Sequence, residues 1–521
     1  MDYLKRFPLK IFFLLIFSFL IIVFYKDLGR ENVNVDQFKW YARSENFFQA
    51  FADGDYKNTY QQYHPGISLI YLVRAGQLTF NLFINNDLSF KEITYEYADT
   101  YNYFTKFYLV TFNLLLIASA TFILFKIVKN IYIPAFFTFL ILSEPYFVGN
   151  MRNLHMDSLI SLVILNSLLY FYYGFINKNR KYLFFAGIFL GLGLLTKSII
   201  ISVFLYIFAF CFVLYLLDKS NKFIKIYFTI VTVAFVTFSL FFPAMWTNPI
   251  ETLSKVYYDG VFRVAIGGDE SFTHIVNNVG VKDPGLTFYF LVLKYRLSLL
   301  HQLTIVLLFC GLVYLIFKKI NFISFILKND SLKFTVYLFG FFILFFIGLN
   351  LSEKKTDRYL IAVYPALIVA SSVFYFYVWE LIKTKYQRVI LVSLICLLSV
   401  YNLVILYLIH PYYFAFYNPL YGGIQKARYE IYLNPGGTGA FEVAKYLNSK
   451  NLLADDLIGT TQRTEFAFFS KYQIKGLHYS RMKEYKYVLL TLQVGQNFRG
   501  KRDLKYGIEI LGSPYLRLYG Y

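Results

Sequence analysis

The chain has 521 residues, of which 58% are hydrophobic and 21% aromatic, whereas only 16% are charged. Since about one quarter of the residues of a soluble globular protein are charged, a soluble fold of this composition would lack the polar surface to cover itself. The same composition excludes a disordered chain, a collagen-like repeat and a coiled coil. It predicts a polytopic membrane protein.

The 51 basic residues exceed the 31 acidic residues, which leaves a net charge of +20. Such an excess can indicate nucleic-acid binding, but the chain carries no motif of that kind. Cytoplasmic loops of membrane proteins collect Lys and Arg, and this explanation suits the composition better. We therefore expect membrane lipids, and no nucleic acid, among the partners.

Apolar runs long enough to cross about 30 Å of hydrocarbon recur along the chain. The first follows three basic residues but has no small-residue cleavage site, which predicts an uncleaved anchor. The fifth is short and rich in glycine, which predicts close packing against neighbouring helices. The eleven predicted spans are about 9–25, 104–126, 131–149, 158–176, 182–197, 199–217, 223–243, 299–317, 334–351, 359–382 and 389–409.

The distribution of basic residues between the spans predicts the orientation. With the N-terminus in the cytoplasm, the inner loops collect clusters such as Lys178, Arg180 and Lys181, whereas the short outer turns hold few cations. Eleven spans then place the C-terminus on the outer face. The predicted location is the cell (inner) membrane of a prokaryote, with the endoplasmic reticulum as the alternative.

Two long segments, 26–103 and 244–298, are predicted to lie outside the membrane. Within the first, residues 66–85 are apolar but carry Arg74 near their centre. Counting them as a span would invert every later loop and violate the charge bias. They are therefore predicted to form an interfacial amphipathic helix.

The tail, 410–521, is less hydrophobic than the rest and shows mixed periodicity. A helical pattern covers 439–449, and strand-like runs cover 457–461, 487–492 and 508–511. The predicted fold is therefore a polytopic α-helical membrane module, residues 1–409, followed by a small extracytoplasmic α/β domain, residues 410–521.

Polar residues crowd at the outer ends of the early spans. A carboxylate, an imidazole and cations at that depth fit a site for a phosphate or a metal ion. The simpler alternatives are a loop residue for Asp36, a dipole-favoured N-terminal helix residue for Asp157, and a structural residue before a Pro-Gly turn for His64. The residues in question are Asp36, His64, Arg152, His155, Asp157 and Lys197.

These residues belong to short motifs that run in order through most of the chain. The motifs are Asp36, the Gly54–Gly66 stretch that ends His-Pro-Gly, Arg152-x-x-His155-x-Asp157, Gly191-x-Gly193-x-x-Thr196-Lys197, Asp283-Pro284-Gly285, Arg358-Tyr359-Leu360 and Tyr417-Asn418-Pro419. The ordered set resembles the GT-C superfamily of polyprenyl-phosphate-sugar-dependent glycosyltransferases. It is similar to the branch of protein O-mannosyltransferases and lipid A aminoarabinose transferases. Many relatives carry Asp-Glu in the first loop, whereas this chain has Asp36-Gln37.

The resemblance implies a role for each matched residue. Asp36 corresponds to the catalytic base, and Asp157 to the residue that helps to organise a divalent metal or the donor phosphate. Basic residues near the outer ends of later spans hold the lipid phosphate in this family. The implied phosphate-binding set is Arg152, His155, Lys197, Arg358 and Tyr359, with His64 and His274 as acceptor-contacting or structural residues.

The chemistry of such a transfer agrees with these roles. A sugar on a lipid phosphate already has a good leaving group, so the reaction needs a base for the acceptor hydroxyl and positive charge on the departing phosphate. By analogy with inverting glycosidases, a carboxylate that acts only as a base implies a single displacement with inversion. The sugar, a hexose such as mannose or an aminopentose, stays open, as does a lipid, glycan or protein acceptor.

Three other functions fit parts of the sequence. A flippase or transporter of lipid-linked sugars would place buried charges in mid-span and broken helices at matching positions of two halves. A non-catalytic scaffold would leave the 152–157 turn and Lys197 unexplained. A polysaccharide polymerase would use a diphosphate-linked donor. The clean apolar centres of most spans favour the transferase.

Overall fold

The structure is a computed structural model that describes residues 18–84, 87–258, 274–276, 279–318, 326, 328–431, 436–453, 456–491 and 502–520. The first predicted span, 9–25, lies mostly outside the described residues. Its last part, residues 18–24, is helical.

Helices account for most of the described chain. In chain order they are α1 (Val35–Ala52), α2 (Ile67–Ile84), α3 (Ala98–Val128), α4 (Tyr132–Ser143), α5 (Pro145–Arg152), α6 (Met156–Ile176), α7 (Arg180–Thr196), α8 (Ile201–Asp218), α9 (Lys222–Phe241), α10 (Ala244–Thr247), α11 (Pro249–Ser254), α12 (Phe288–Arg296), α13 (Leu299–Lys318), α14 (Asp330–Leu351), α15 (Tyr364–Leu381), α16 (Lys385–Ile409), α17 (Gly423–Glu430), α18 (Ala440–Asn448) and α19 (Arg463–Ala467).

Among the described residues, nine helices are long and apolar enough to cross a membrane, or ten if one bent pair is counted as a span. Eight of the nine coincide with predicted spans: α3, α6, α8, α9, α13, α14, α15 and α16. The predicted span 131–149 is a broken pair, α4 and α5, bent by 70°. The glycine-rich fifth span is α7, which has 17 residues. The prediction of a polytopic α-helical membrane protein is confirmed.

The ninth helix is α2, for which the sequence predicts an interfacial position. By length and composition α2 could also span the membrane. Arg74, at its centre, stacks over the Phe48 ring of α1 at 5.5 Å from the ring centroid. Since α1 is too polar to be a span, this contact supports an interfacial position for α2, which stays a prediction.

Glycines let α7 approach α9 closely, as the sequence predicts. A Cβ atom added at Gly187 would lie 2.6 Å from Val233 Cβ, and one at Gly191 would lie 2.5 Å from Thr237 Cβ. Neither distance leaves room for a side chain. The pair is therefore packed backbone against side chain, which is the usual geometry of small residues between membrane helices.

Gly191→Ala is expected to destabilise the protein by about 1–3 kcal/mol, the usual cost of overpacking a tight core. The added methyl group would also meet the Ala234 carbonyl oxygen at 2.7 Å, and backbone cannot move aside easily. Gly348→Ala on α14 is the matched control, because a Cβ there meets nothing within 4 Å. Thermal unfolding in detergent gives the transition temperature of each variant, and only Gly191→Ala should unfold at a lower temperature than wild type. Equal transition temperatures would contradict the packing argument.

The tail forms the small α/β unit that its periodicity predicts. Its strands are β3 (Leu457–Thr460), β4 (Ile474–Gly476), β5 (Tyr485–Thr491), β6 (Asp503–Ile510) and β7 (Ser513–Gly520), after a short outer-segment hairpin of β1 (His274–Val276) and β2 (Val279–Val281). The tail sheet has the order β4-β3-β5-β7-β6. Strand β3 runs parallel to β4 and β5, whereas β7 is antiparallel to β5 and β6. That residues 410–521 form a separate domain stays a prediction.

The tail packs on the first outer segment. The Phe468 ring meets the Phe38 ring of α1 edge-on at 5.2 Å between centroids. The Gly439 N–H donates to the Glu31 carbonyl oxygen at 3.4 Å. These contacts join the tail to the first turn of α1 and to the segment that leads into it.

Candidate active site

Four separate elements bring the predicted site residues together. Asp36 lies in the first turn of α1, and Lys197 directly follows α7. His155 and Asp157 stand at the start of α6. Arg358 and Tyr359 lie in a 3-10 helix, Asp357–Ala362, just before α15. Each residue thus stands at a helix end, where the chain leaves the apolar bundle.

Asp157 is the buried centre of the cluster. Its Oδ1 accepts a hydrogen bond from Lys197 Nζ at 2.8 Å. Its Oδ2 lies 2.9 Å from His155 Nδ1 and 3.7 Å from Arg358 Nε. A buried carboxylate is tolerated only when it is paired in this way. Asp157 therefore fixes the positions of one imidazole and two cations.

Asp36 is the more open carboxylate, with 38% of its side chain exposed. Its Oδ2 lies 3.8 Å from both His155 Nε2 and Arg358 Nη1, and its Oδ1 accepts from Lys39 Nζ at 3.1 Å. Burial opposes ionisation, but the neighbouring His155, Arg358 and Lys39 outweigh it and hold the pKa of Asp36 below its ordinary value. Asp36 is thus an ionised carboxylate at the edge of the cluster.

His155 connects the two carboxylates. Its Nδ1 lies 2.9 Å from Asp157 Oδ2, and its Nε2 lies 3.2 Å from Arg358 Nη1 and 3.8 Å from Asp36 Oδ2. Tyr359 completes the group, with Lys197 Nζ 5.2 Å from its ring centroid. Asp36, His155, Asp157, Lys197, Arg358 and Tyr359 are called the outer cluster below.

His64 borders the outer cluster from the first outer segment. Its Nδ1 lies 3.3 Å from Ser198 Oγ. Burial, followed by the charge of Lys197, lowers the pKa of His64 to about 3. A neutral imidazole beside the Lys197 turn suits structural support. His274 begins β1, and its side chain lies outside the described residues.

Arg152, predicted to bind phosphate, is held elsewhere. Its guanidinium donates to the carbonyl oxygens of Val23 at 2.5 Å and Lys26 at 2.9 Å, and it lies 3.6 Å from Glu31 Oε2. Lys106 Nζ binds the other Glu31 oxygen at 3.1 Å. The structure therefore does not bring Arg152 into the outer cluster, because the chain turns between α5 and α6.

Arg296 is a buried residue for which the sequence analysis predicted no role. Its guanidinium lies 2.6 Å from Asp357 Oδ2 and donates to the carbonyl oxygens of Phe414 and Phe416 at 3.0 and 2.8 Å. Asp357 directly precedes Arg358. Arg296 thereby ties the turn that carries Arg358 to the start of the tail. In the sequence, the only sign of Arg296 was a basic residue at the end of an apolar helical run.

The possible metal role of Asp157 has no further support among the described residues. Within that part of the chain, no group of three His, Cys, Asp or Glu side chains is arranged to hold a metal ion. Both oxygens of Asp157 face Lys197 and His155, and Arg358 lies 3.7 Å away. The partners of Asp157 in this structure are thus side chains of the chain itself.

Comparison with known proteins agrees with the fold. Residues 103–246 match the family model described as dolichyl-phosphate-mannose-protein mannosyltransferase. The structure is similar to that of ArnT from Cupriavidus metallidurans bound to undecaprenyl phosphate, with a TM-score of 0.52 and 12% identity, over 97% of this chain and 98% of that chain. It is also similar to ArnT from the same organism in the apo state, with a TM-score of 0.51 and 12% identity, over 98% of both chains. A comparison with curated proteins finds no match.

A bundle of membrane helices with a polar cluster at their ends defines a multi-span membrane protein. More particularly, its fold is similar to that of ArnT, and residues 103–246 match the mannosyltransferase family model. The matched segment contains His155, Asp157 and Lys197. The resemblance that the sequence motifs indicate is therefore confirmed.

Proposed function

We propose that the chain transfers a sugar from a polyprenyl phosphate to an acceptor hydroxyl on the outer face of the membrane, with inversion at the anomeric carbon. The outer cluster carries the proposal, because it places one accessible carboxylate beside the partly buried Arg358 and close to the buried Lys197, at the ends of helices. Two comparisons support a lipid-phosphate donor. ArnT is described as bound to undecaprenyl phosphate, and the matched family model names a dolichyl-phosphate sugar.

The cations of the cluster suit a donor phosphate. Lys197 and Arg358 lie beside Asp157, and Arg358 also lies 3.8 Å from the accessible Asp36. A phosphate that approaches these two cations would lie next to the base. The comparisons favour a monophosphate-linked donor over the diphosphate-linked donor of a polysaccharide polymerase, because both descriptions that mention a lipid carrier name a lipid phosphate.

Asp36 is the proposed base. It is ionised and partly exposed, so an acceptor hydroxyl can approach it, whereas Asp157 is buried and already paired. The acceptor oxygen bonds to the anomeric carbon as the bond from that carbon to the phosphate oxygen breaks. The hydroxyl proton goes to Asp36. One displacement of this kind inverts the anomeric centre.

Lys197 and Arg358 are the proposed phosphate ligands. Breaking the glycosidic bond turns the phosphodiester into a phosphate monoester with an additional negative charge. Cations that are already in place, in a site that excludes water, stabilise that charge without having to reorganise. Asp157 would hold both cations in place, and His155 would orient Arg358. Arg152 has no contact that supports a phosphate-binding role.

The orientation of the chain belongs to the same proposal. The positive-inside bias of the loops supports a cytoplasmic N-terminus and an extracytoplasmic tail. The cell (inner) membrane is the proposed location. The outer cluster would then lie at the outer surface, within reach of a donor whose lipid tail stays in the bilayer.

Lys106 is the feature closest to what a flippase would need, since it is a buried charge within membrane helix α3. However, its Nζ is fully occupied by Glu31 and by both oxygens of Asn32, at 2.6–3.1 Å. Within the described chain, only one bent helix pair occurs. These observations favour the transferase over a transporter built from two matching halves.

The test of function is transfer from radiolabelled donors. A small panel of polyprenyl-phosphate sugars is incubated with membranes that carry the wild-type chain or the Asp36→Asn variant. Label that enters the lipid, glycan or protein fraction with wild type only supports the proposal and identifies the sugar. If the chain instead moves labelled donor across the bilayer without transfer, as read by a sidedness assay, the flippase is correct.

The pH dependence follows from the pKa of Asp36. A base must be deprotonated, so kcat/KM should fall as the pH drops through a value below the ordinary aspartate pKa of 3.8. Arg358→Gln removes a positive neighbour, which raises the pKa of Asp36 and should move this acid limb to higher pH. Arg30→Gln is the control, because Arg30 pairs with Asp99 instead. An unmoved limb in Arg358→Gln would contradict the assignment of Asp36 as the titrating base.

A further inference from the structure

We propose that Asn34 is a positioning residue that holds Asp36 at its working distance from the outer cluster by binding Asn153. The inference rests on the proposed function, in which Asp36 is the base. It concerns how the first outer segment and the turn before α6 are joined.

Asp36 needs such a support, because its own contacts do not fix it. The separations from His155 Nε2 and Arg358 Nη1, both 3.8 Å, exceed hydrogen-bond distance. Its one short bond goes to Lys39, a side chain that is 56% exposed. A catalytic group that is misplaced by about 1 Å can lose about 10²-fold in rate. The backbone that carries Asp36 must therefore be fixed by something else.

Asn34 is placed to fix this backbone. It is the N-cap of α1, and its Oδ1 accepts from the Gln37 N–H at 3.0 Å. Its Nδ2 donates in the other direction, to Asn153 Oδ1, at 2.6 Å. One buried side chain thus joins the start of α1 to another segment of the chain, two residues before Asp36.

Asn153, the acceptor of the bond from Asn34, is equally close to the site. Asn153 stands two residues before His155, and the His155 N–H donates to the Asn153 carbonyl oxygen at 2.7 Å. The Asn153 N–H donates to Gly149 at 3.0 Å, which ties the turn to α5. The bond between Asn34 and Asn153 therefore sets the position of Asp36 relative to His155 and, through it, Asp157.

The buried ion pair of Lys106 and Glu31 supports the bond between Asn34 and Asn153 through Asn32. Asn32 Nδ2 reaches Asn153 Oδ1 at 3.4 Å, while Lys106 Nζ binds Asn32 Oδ1 at 2.6 Å and Glu31 Oε1 at 3.1 Å. All of these side chains are buried. Polar groups that are buried and mutually satisfied rigidify the structure around them. The segment that leads into α1 is thus anchored at three polar residues, Glu31, Asn32 and Asn34.

A simpler explanation is that Asn34 only caps α1. The two roles separate in the Asn34→Ser variant, since Ser caps a helix about as well as Asn but is too short to reach Asn153. If Asn34 is a positioning residue, Asn34→Ser lowers kcat about tenfold or more while the KM for the donor stays within about twofold. The coupling between Asn34 and Asn153 is measured by comparing Asn153→Ala and the double variant with Asn34→Ser.

The experiment measures transfer kinetics and thermal unfolding for wild type, Asn34→Ser, Asn153→Ala and the double variant. Because the two single changes break the same bond, the double variant should be no slower than the worse single one. Wild-type kcat in Asn34→Ser, or losses that multiply in the double variant, would overturn the inference. A large fall in the unfolding temperature of Asn34→Ser together with a raised KM would indicate a general folding defect and would also overturn it.

A second measurement separates this inference from the proposed function. If wild type transfers no sugar from any donor, the function fails, but the bond can still be tested by hydrogen–deuterium exchange. Asn34→Ser should then exchange faster than wild type in peptides that cover residues 35–44 and 153–157. Unchanged exchange in both peptides would overturn the positioning role.

Discussion

Asp36→Asn is expected to lower turnover by at least about 10²-fold, the usual scale for loss of a general base. The amide keeps the size and shape of the carboxylate but cannot take the proton of the acceptor hydroxyl. Donor binding should persist, because Lys197 and Arg358 remain and lose a competing negative charge. Single-turnover transfer and equilibrium binding of a radiolabelled donor measure the two effects separately.

Asp53→Asn is the matched control for this prediction. Asp53 caps the other end of α1, about 25 Å from Asp36 at 1.5 Å per residue. It is exposed, and its carboxylate accepts from the Gln49 side chain at 2.9 and 3.0 Å. The turnover of the Asp53→Asn variant should equal that of wild type. Near-normal turnover in Asp36→Asn would eliminate Asp36 as the base.

Lys197→Met is expected to abolish transfer and to destabilise the protein by up to about 3–5 kcal/mol, the cost of removing one partner of a buried ion pair. Both side chains of the pair are buried, at 9% exposure for Lys197 and 6% for Asp157. Met retains the apolar length of the lysine stem but leaves Asp157 with one cation fewer. Thermal unfolding and transfer assays measure the two losses.

The double variant Lys197→Met with Asp157→Asn tests which loss matters for catalysis. Removing both charges should restore much of the stability, since no unpaired carboxylate remains. Turnover should stay at least about 10²-fold low, because the cation for the departing phosphate is still missing. Recovery of activity along with stability would show that Lys197 serves only as the partner of Asp157.

The anchoring of Arg358 illustrates how the tail can affect the site. Arg296 joins Asp357 to the carbonyl oxygens of Phe414 and Phe416, which lie at the start of the tail. Arg358, the next residue after Asp357, faces Asp36 and His155. The turn that presents this cation is thus held by the segment that leads from α16 into the tail.

Much of the fold could be predicted because it depends on local composition. Eight predicted spans match helices of the structure, since an apolar run of that length has no other favourable environment. In the tail, periodicity identified α18, β3, β5 and β6, but β4 and β7 were missed. Strand β4 has only three residues, and β7 carries Pro514, a residue that argues against a strand inside a sheet. The pairing of β7 with both β5 and β6 depends on the rest of the sheet.

The site was predicted in part, through motifs that resemble a family. These pointed to Asp36, His155, Asp157, Lys197 and Arg358, which the structure does bring together. The same reasoning placed Arg152 with His155, three residues away. The chain leaves α5 at Asn153, so Arg152 instead faces Glu31. Asn34 carried no signal of its own, and Arg296 carried only that of a basic residue at the end of an apolar helix, because a buried polar residue is recognised mainly by its partners.

Local patterns in the chain identify a membrane protein, the order of most membrane helices and the residue types available for chemistry. Hydrophobic burial and helical periodicity act over one element at a time, so they can be read from the chain directly. Which charges meet depends on the packing of whole elements. The contact of Asp36 with Arg358 joins residues more than three hundred positions apart, and it depends on how whole helices pack. No local pattern contains that information.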